Sequence, residues 1–152
     1  MNQPPQPILS VRGFVRTVRI SPDGRWLAFD TNDGGPMHVY VVSISGKGER
    51  VAVSPRPGES PRWSHDGRQL FFRNGTAMMV VDVRETGGQI ELGVERKVFD
   101  AQMASEYAVG SSGDFYTLAP VPGAATQTHI QLRTRWFDEV DRLMRGRDRP
   151  RE

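Results

Sequence analysis

The chain contains no cysteine, and that absence removes disulfide staples and thiolate chemistry together. It also lacks any apolar run approaching the ~20 residues of a membrane-crossing helix. Aliphatic and aromatic residues come in short bursts instead, such as VYVV, MMVV and LFF, so no membrane insertion is expected. An excess of one charge is missing too: 20 Lys and Arg face 18 Asp and Glu, interspersed along the chain, for a net charge of +2. Without a strong single-sign field there is no electrostatic reason to expect a nucleic-acid partner. Lysine itself is scarce, since Lys47 and Lys97 are the only two and every other cation is arginine. The first residues, MNQPPQPILSVRGF, show neither the basic start nor the apolar block of a secretory signal.

Catalytic patterns are equally thin. A serine hydrolase needs a G-x-S-x-G elbow and a reachable histidine, and neither GSSG nor SISG fits. The three histidines, His38, His65 and His129, have no metal-ligand spacing. Asp30, Asn32 and Gly35 resemble the start of a calcium loop, but the place of its bidentate Glu is taken by Val41, and a hairpin turn accounts for those residues better. Glycoside chemistry would need a convergent carboxylate pair, which no spacing here establishes. No catalytic residue, cofactor-binding residue or metal ligand is therefore assigned, and no cofactor is expected; the chain is read as non-enzymatic.

What the chain does have is a repeat. SPDGRWLAF at Ser21 to Phe29 returns as SHDGRQLFF at Ser64 to Phe72, and a degraded copy, GSSGDFYTL, starts at Gly110. The turn glycine recurs at Gly24, Gly67 and Gly113, at spacings of 43 and 46 residues, a period that suits the blade of a β-propeller. Each signature is expected to join a strand ending at Ile20, Trp63 or Val109 to a second strand, Trp26 to Thr31 and Leu70 to Arg73 in the first two copies. Asp accepts backbone N–H bonds inside such a turn, and Gly takes positive φ without a Cβ clash. Asp23 and Asp66 are accordingly read as turn residues, with a role as paired acids as the functional alternative. The third turn lacks Pro and Asp, having Ser111 and Ser112 there, and is expected to be looser.

NDGGP and NG then signal the next hairpins. A third strand follows as MHVYVV from Met37 and AMMVVDV from Ala77, bulky on both faces as in sheets buried on two sides. A fourth follows as RVAV from Arg50 and RKVF from Arg96, the latter after a longer Gly-rich connection. The spacing from fourth strand to next first strand also marks PILS near Leu9 as an orphan fourth strand. In the third repeat, DFYTL and HIQLRT supply strands, and RWFDEVDRLMRG then places Trp136, Phe137, Val140, Leu143 and Met144 on one helical stripe. The expected architecture is all-β: a partial β-propeller of about three four-stranded antiparallel blades with a C-terminal amphipathic helix. Residues 1–134 form the three-blade segment, 135–146 the helix and 147–152 a disordered tail.

These residues resemble the TolB-like, WD-repeat-like β-propeller repeat family, whose WSPDG turn, apolar IAF or LFF strand and IYVV-like strand are similar to ISPDGRWLAF with HVYVV and PRWSHDGRQLFF with MMVVDV. HIQLRTRWFDEVDRL is similar to the end of the C-terminal propellers of bacterial eukaryotic-like serine/threonine protein kinases, although no glycine-rich nucleotide loop, HRD or DFG is present. The resemblance implies a non-catalytic module for protein interaction or ligand sensing, such as the sensor part of a receptor-type kinase; the alternative is an accessory propeller domain of a peptidase-type hydrolase whose catalytic domain lies elsewhere. Tyr107, Phe115 and Tyr116 are the aromatic candidates for partner contact, with a core role as the plainer reading. Propellers usually contain 4–8 blades, so three call for further blades, supplied by a protein partner or by a homodimer completing a six-bladed ring. The compartment is expected to be cytoplasmic if Met1 is the true start and extracytoplasmic if the chain is a fragment of a receptor kinase.

Overall fold

The computed structural model describes residues 7–46, 48–100 and 106–117. Every regular element among them is a β-strand. The chain divides into two compact units, Met1–Gln102 and Met103–Glu152. The expected strand from His129, the helix over 135–146 and the tail lie outside the described residues.

The first unit holds two sheets. Strands β1 (Val15–Ile20), β2 (Trp26–Thr31), β3 (His38–Ser43) and β4 (Val51–Ala52) form an antiparallel meander in that order. The second sheet repeats the plan with β5 (Glu59–Trp63), β6 (Gln69–Asn74), β7 (Ala77–Thr86) and β9 (Arg96–Asp100), and adds β8 (Gln89–Leu92). This fifth strand departs from the expected four. β7 runs ten residues, of which the first six pair β6; Ala77 to Val80 also pair β9, and Val83 to Thr86 continue beyond the sheet to pair β8. The Gly-rich connection is thus a β7–β8 ribbon turning at Gly87 and Gly88, both at positive φ, and the alternation VDVRET, GG, QIEL is its sequence signal.

The repeat is reproduced at the level of register. Ile20 pairs with Leu27 and Trp63 with Leu70. In each sheet the first strand slips register once, between Val15 and Val18 and between Glu59 and Arg62, so one extra residue bends the strand at the same repeat position. In the second sheet this bulge carries Ser60, buried and at φ 56. Backbone strain of this kind persists only where neighbours over-determine it.

Alternation across the strands gives each sheet two apolar faces. Ala28, Val39 and Val41 of the first sheet and Leu70, Phe72, Met79 and Val81 of the second fall in one buried cluster with Val53, Trp63 and Ile90. Phe72 and Leu70 are fully buried there, and each side chain of that size contributes about 1.5–3 kcal/mol by leaving water. Gly58 is required at this seam, because a Cβ on it would lie 2.8 Å from the Phe72 ring. The opposite face of the second sheet, with Phe71, Met78 and Val80, is also buried.

Polar ties lock the seam. Asp30 is wholly buried; its carboxylate accepts the Thr17 amide at 2.6 Å within its own sheet and the Ser60 amide at 2.8 Å in the other. Thr17 and Ser60 occupy the same repeat position, so one carboxylate satisfies both bulges. The Trp63 indole donates to the Arg19 carbonyl at 3.1 Å. Outside this lock, Arg16 reaches Glu59 at 2.5 Å and Asp30 at 3.5 Å, and Arg73 reaches Glu59 at 3.4 Å.

PILS is not a strand. Pro7 to Ser10 are exposed and take no ladder position, and Ile8 and Leu9 instead lie over Val15, Val18, Leu27 and Phe29.

The second unit shows one hairpin, β10 (Tyr107–Val109) with β11 (Phe115–Thr117). Tyr107 and Phe115 share its buried face with ring centroids 6.1 Å apart, so two of the three candidate contact aromatics are core. The third turn is tighter than expected. Val109 pairs with Phe115, and Gly110 donates to the carbonyl four residues on, whereas Ser21 and Ser64 donate to the carbonyl five residues on. With Ser111 and Ser112 in the places of Pro and Asp, this loop closes one residue sooner.

A charged cleft at the turn end of the two sheets

In each signature turn the serine hydroxyl does two jobs. Ser21 Oγ donates to Asp23 at 2.5 Å and accepts the Trp26 amide at 2.9 Å; Ser64 Oγ donates to Asp66 at 2.7 Å and accepts the Gln69 amide at 2.9 Å. Each aspartate then accepts the amide two residues on, from Arg25 or Arg68, at 3.1 Å. Gly24 and Gly67 close the turns at φ 74 and 72, a region closed to most side chains at no small cost. The serine hydroxyl first, and then the arginine backbone amide, hold both carboxyls below the usual carboxylate range. Both aspartates thus take the turn role that the sequence assigns them.

The β7–β8 ribbon rises from the same end of the second sheet and leans on the first. Glu85 forms an ion pair with Arg25 and accepts the Trp26 indole N–H at 3.3 Å, while Ile90 of β8 enters the shared core. At the ribbon's base, Asp82 accepts the side-chain Nε2 of Gln69 at 3.1 Å and pairs with Arg96 at 2.7 Å. The Gln69 hydrogen bond, ahead of Arg96, lowers the Asp82 pKa.

Together these parts enclose a cleft of about 180 Å³. Trp26 and Trp63 line it, with Asp23, Asp66, Arg68 and Arg84 among the residues around them. A wider polar groove continues from it past Asp66, Gln69 and Asp82 to Thr86. Indoles present large rigid apolar area, and Asp23 and Asp66 beside them are oriented by the hydrogen bonds of their turns. Both turn serines donate their hydroxyl protons to aspartates.

The remaining sequence candidates do not converge here. His38 begins β3 at the opposite end of the sheet, tilted against Tyr40 at 6.5 Å, and His65 sits in the second turn. His129 lies outside the described residues. Asp30 belongs to the core lock and Val41 pairs with Ala28, which accounts for the calcium-like spacing by packing. Among the described residues no group of three or more His, Cys, Asp or Glu could hold a metal ion, and no helix is long and apolar enough to cross a membrane. Sequence reasoning missed Asp82, Arg84 and Glu85, although the alternating pattern around Gly87–Gly88 marked the ribbon that carries them. No family model and no curated protein matches the chain.

Proposed function

We propose that the chain is a non-catalytic β-propeller module for protein interaction or ligand sensing, in which the signature repeats are blades and the turn end of the first two is the recognition face. The observation that carries this reading is the gathering of two repeat-equivalent turns and the β7–β8 ribbon around one indole-lined cleft. Loops mounted on rigid sheets are the usual place for recognition. The resemblance to kinase-linked propellers points to sensing as the role of such a face, with further blades or a protein partner completing the fold.

The test is ligand-linked stabilisation of the full chain. A partner that binds the folded state at 100 times its Kd should stabilise it by about 2.7 kcal/mol. In a thermal-shift screen of peptides and small metabolites, a hit on the wild-type chain should be lost in the Arg84→Ala, Arg68→Ala double variant, both exposed positions. Turnover of an ester or peptide substrate by the purified chain would instead show an enzyme and end the non-catalytic reading.

A further inference from the structure

The two sheets contain a worked case of how a face of this repeat is covered. The second sheet meets the first through Leu70, Phe72, Met79 and Val81, packed with Ala28, Val39 and Val41. The 43-residue offset carries Leu27 and Phe29 onto Leu70 and Phe72, and the pairing of Leu27 with Val42 and Phe29 with Tyr40 carries Tyr40 and Val42 onto Met79 and Val81. The first sheet therefore owns an equivalent docking face, extended along β1 by Val18 and Ile20, which pair with Phe29 and Leu27. Among the described residues no sheet lies on it. Ile8, Leu9 and Val11 lie there instead, leaving a trough of about 270 Å³. Ile20 remains 61% exposed and Val18 44%, whereas Trp63, the counterpart of Ile20, is 9% exposed.

The hairpin of the second unit supplies the converse surface. Ala108 pairs with Tyr116 as Arg19 pairs with Ala28, and the Arg19–Ala28 side is the one that receives the second sheet. Ala108 is exposed and Tyr116 half-buried, while Tyr107 and Phe115 on the other side are buried.

We infer that the chain self-associates head to tail, the β1–β2 face of one copy (Val18, Ile20 and Leu27) seating the Ala108–Tyr116 face of a second copy. This rests on the repeat reading above and names the partner it calls for. The occupant is a second copy because the surface that this kind of face buries against, in the one case seen, is another sheet of the same repeat, and the chain itself carries such a sheet with its receiving side open. A head-to-tail contact closes into a ring or continues as a larger assembly, according to its rotation.

Sedimentation velocity of the full chain, across a wide concentration range, tests this. The expected mass is twice that of one chain, or a higher multiple, at the upper concentrations. Ile20→Glu and, independently, Ala108→Glu should return it to one chain, with far-ultraviolet circular dichroism unchanged; Val94→Glu, at an 85% exposed site off both faces, should leave association intact. A wild-type chain that stays at one mass throughout, or association indifferent to both glutamates, overturns the inference. Either failure leaves the docking of the two sheets within one chain untouched, because that docking is read separately by the loss of stability in Phe72→Ala.

Discussion

The first and second sheets share a register, a bulge position and a turn, yet their equivalent residues perform different work. Phe72 is sealed between two sheets, while its counterpart Phe29 lies under the short Ile8–Leu9 segment and stacks on Tyr40 at 5.8 Å. Asp30 bridges both bulges from the core, while its counterpart Arg73 faces Glu59. Even the charges are inverted: Arg16 and Asp30 in the first repeat correspond to Glu59 and Arg73 in the second, and Arg16 pairs with Glu59 across the seam. The difference teaches that repetition of backbone does not make the seams interchangeable. A carboxylate at position 30 can accept two amides, whereas a guanidinium at position 73 can accept none, so the Asp30 lock is specific to the junction of the first sheet with the second.

The comparison can be broken most severely at the aromatic pair. Phe72→Ala should destabilise the chain by about 3–5 kcal/mol in urea denaturation, and Phe29→Ala by distinctly less, since its cover is a short segment able to collapse into the space. Equal losses would mean that the two faces are equally well packed. Next in size is the polar pair. Asp30→Ala strands the Thr17 and Ser60 amides in the core, at about 1–3 kcal/mol for each unsatisfied group; Arg73→Ala should stay within about 1 kcal/mol, as for a partly exposed ion pair. A reversed order, measured by the same denaturation, would remove Asp30 from the seam.

The smallest effect belongs to the turns, where the two sheets are alike. Asp23 and Asp66 have folded-state pKa values below their unfolded ones. Each therefore contributes stability that is present above the unfolded value of about 3.9 and is lost as pH falls through the folded value. Thermal melts should hold level from neutral pH down to about 5 and weaken below about 4. Asp23→Asn with Asp66→Asn should flatten that acid limb by similar shares from each site, and a loss confined to one turn would show that the turns are not equivalent.

How far the sequence reached differs from strand to strand. β2 was read over its full span, because a run of aromatic and aliphatic residues bounded by a DG turn and an NDGGP loop leaves one way to run. β5, β6 and β10 were anchored by the same signature. β7 was cut short and β8 missed, since a ribbon leaving its sheet has the same alternation as a loop-flanked strand end, and only the contacts of its Glu85 with Arg25 and Trp26 give it a place. PILS failed as a strand because spacing measures distance along the chain and not which surface is sticky. The third turn was expected to be looser for want of Pro and Asp, but the chain closes that loop one residue sooner.

By itself, then, the sequence determined the all-β class, the repeat, and the turns at Gly24 and Gly67, because turn chemistry and alternation are local properties of a few neighbouring residues. Only the tertiary structure decided that Asp30 is a core bridge, that Trp26 and Trp63 share a cleft, and that Val18 and Ile20 stay exposed where Trp63 is buried. Each of these depends on what a second sheet, far along the chain, brings against the first, and burial, desolvation and hydrogen-bond satisfaction are set by that neighbour rather than by the residue's own place in line.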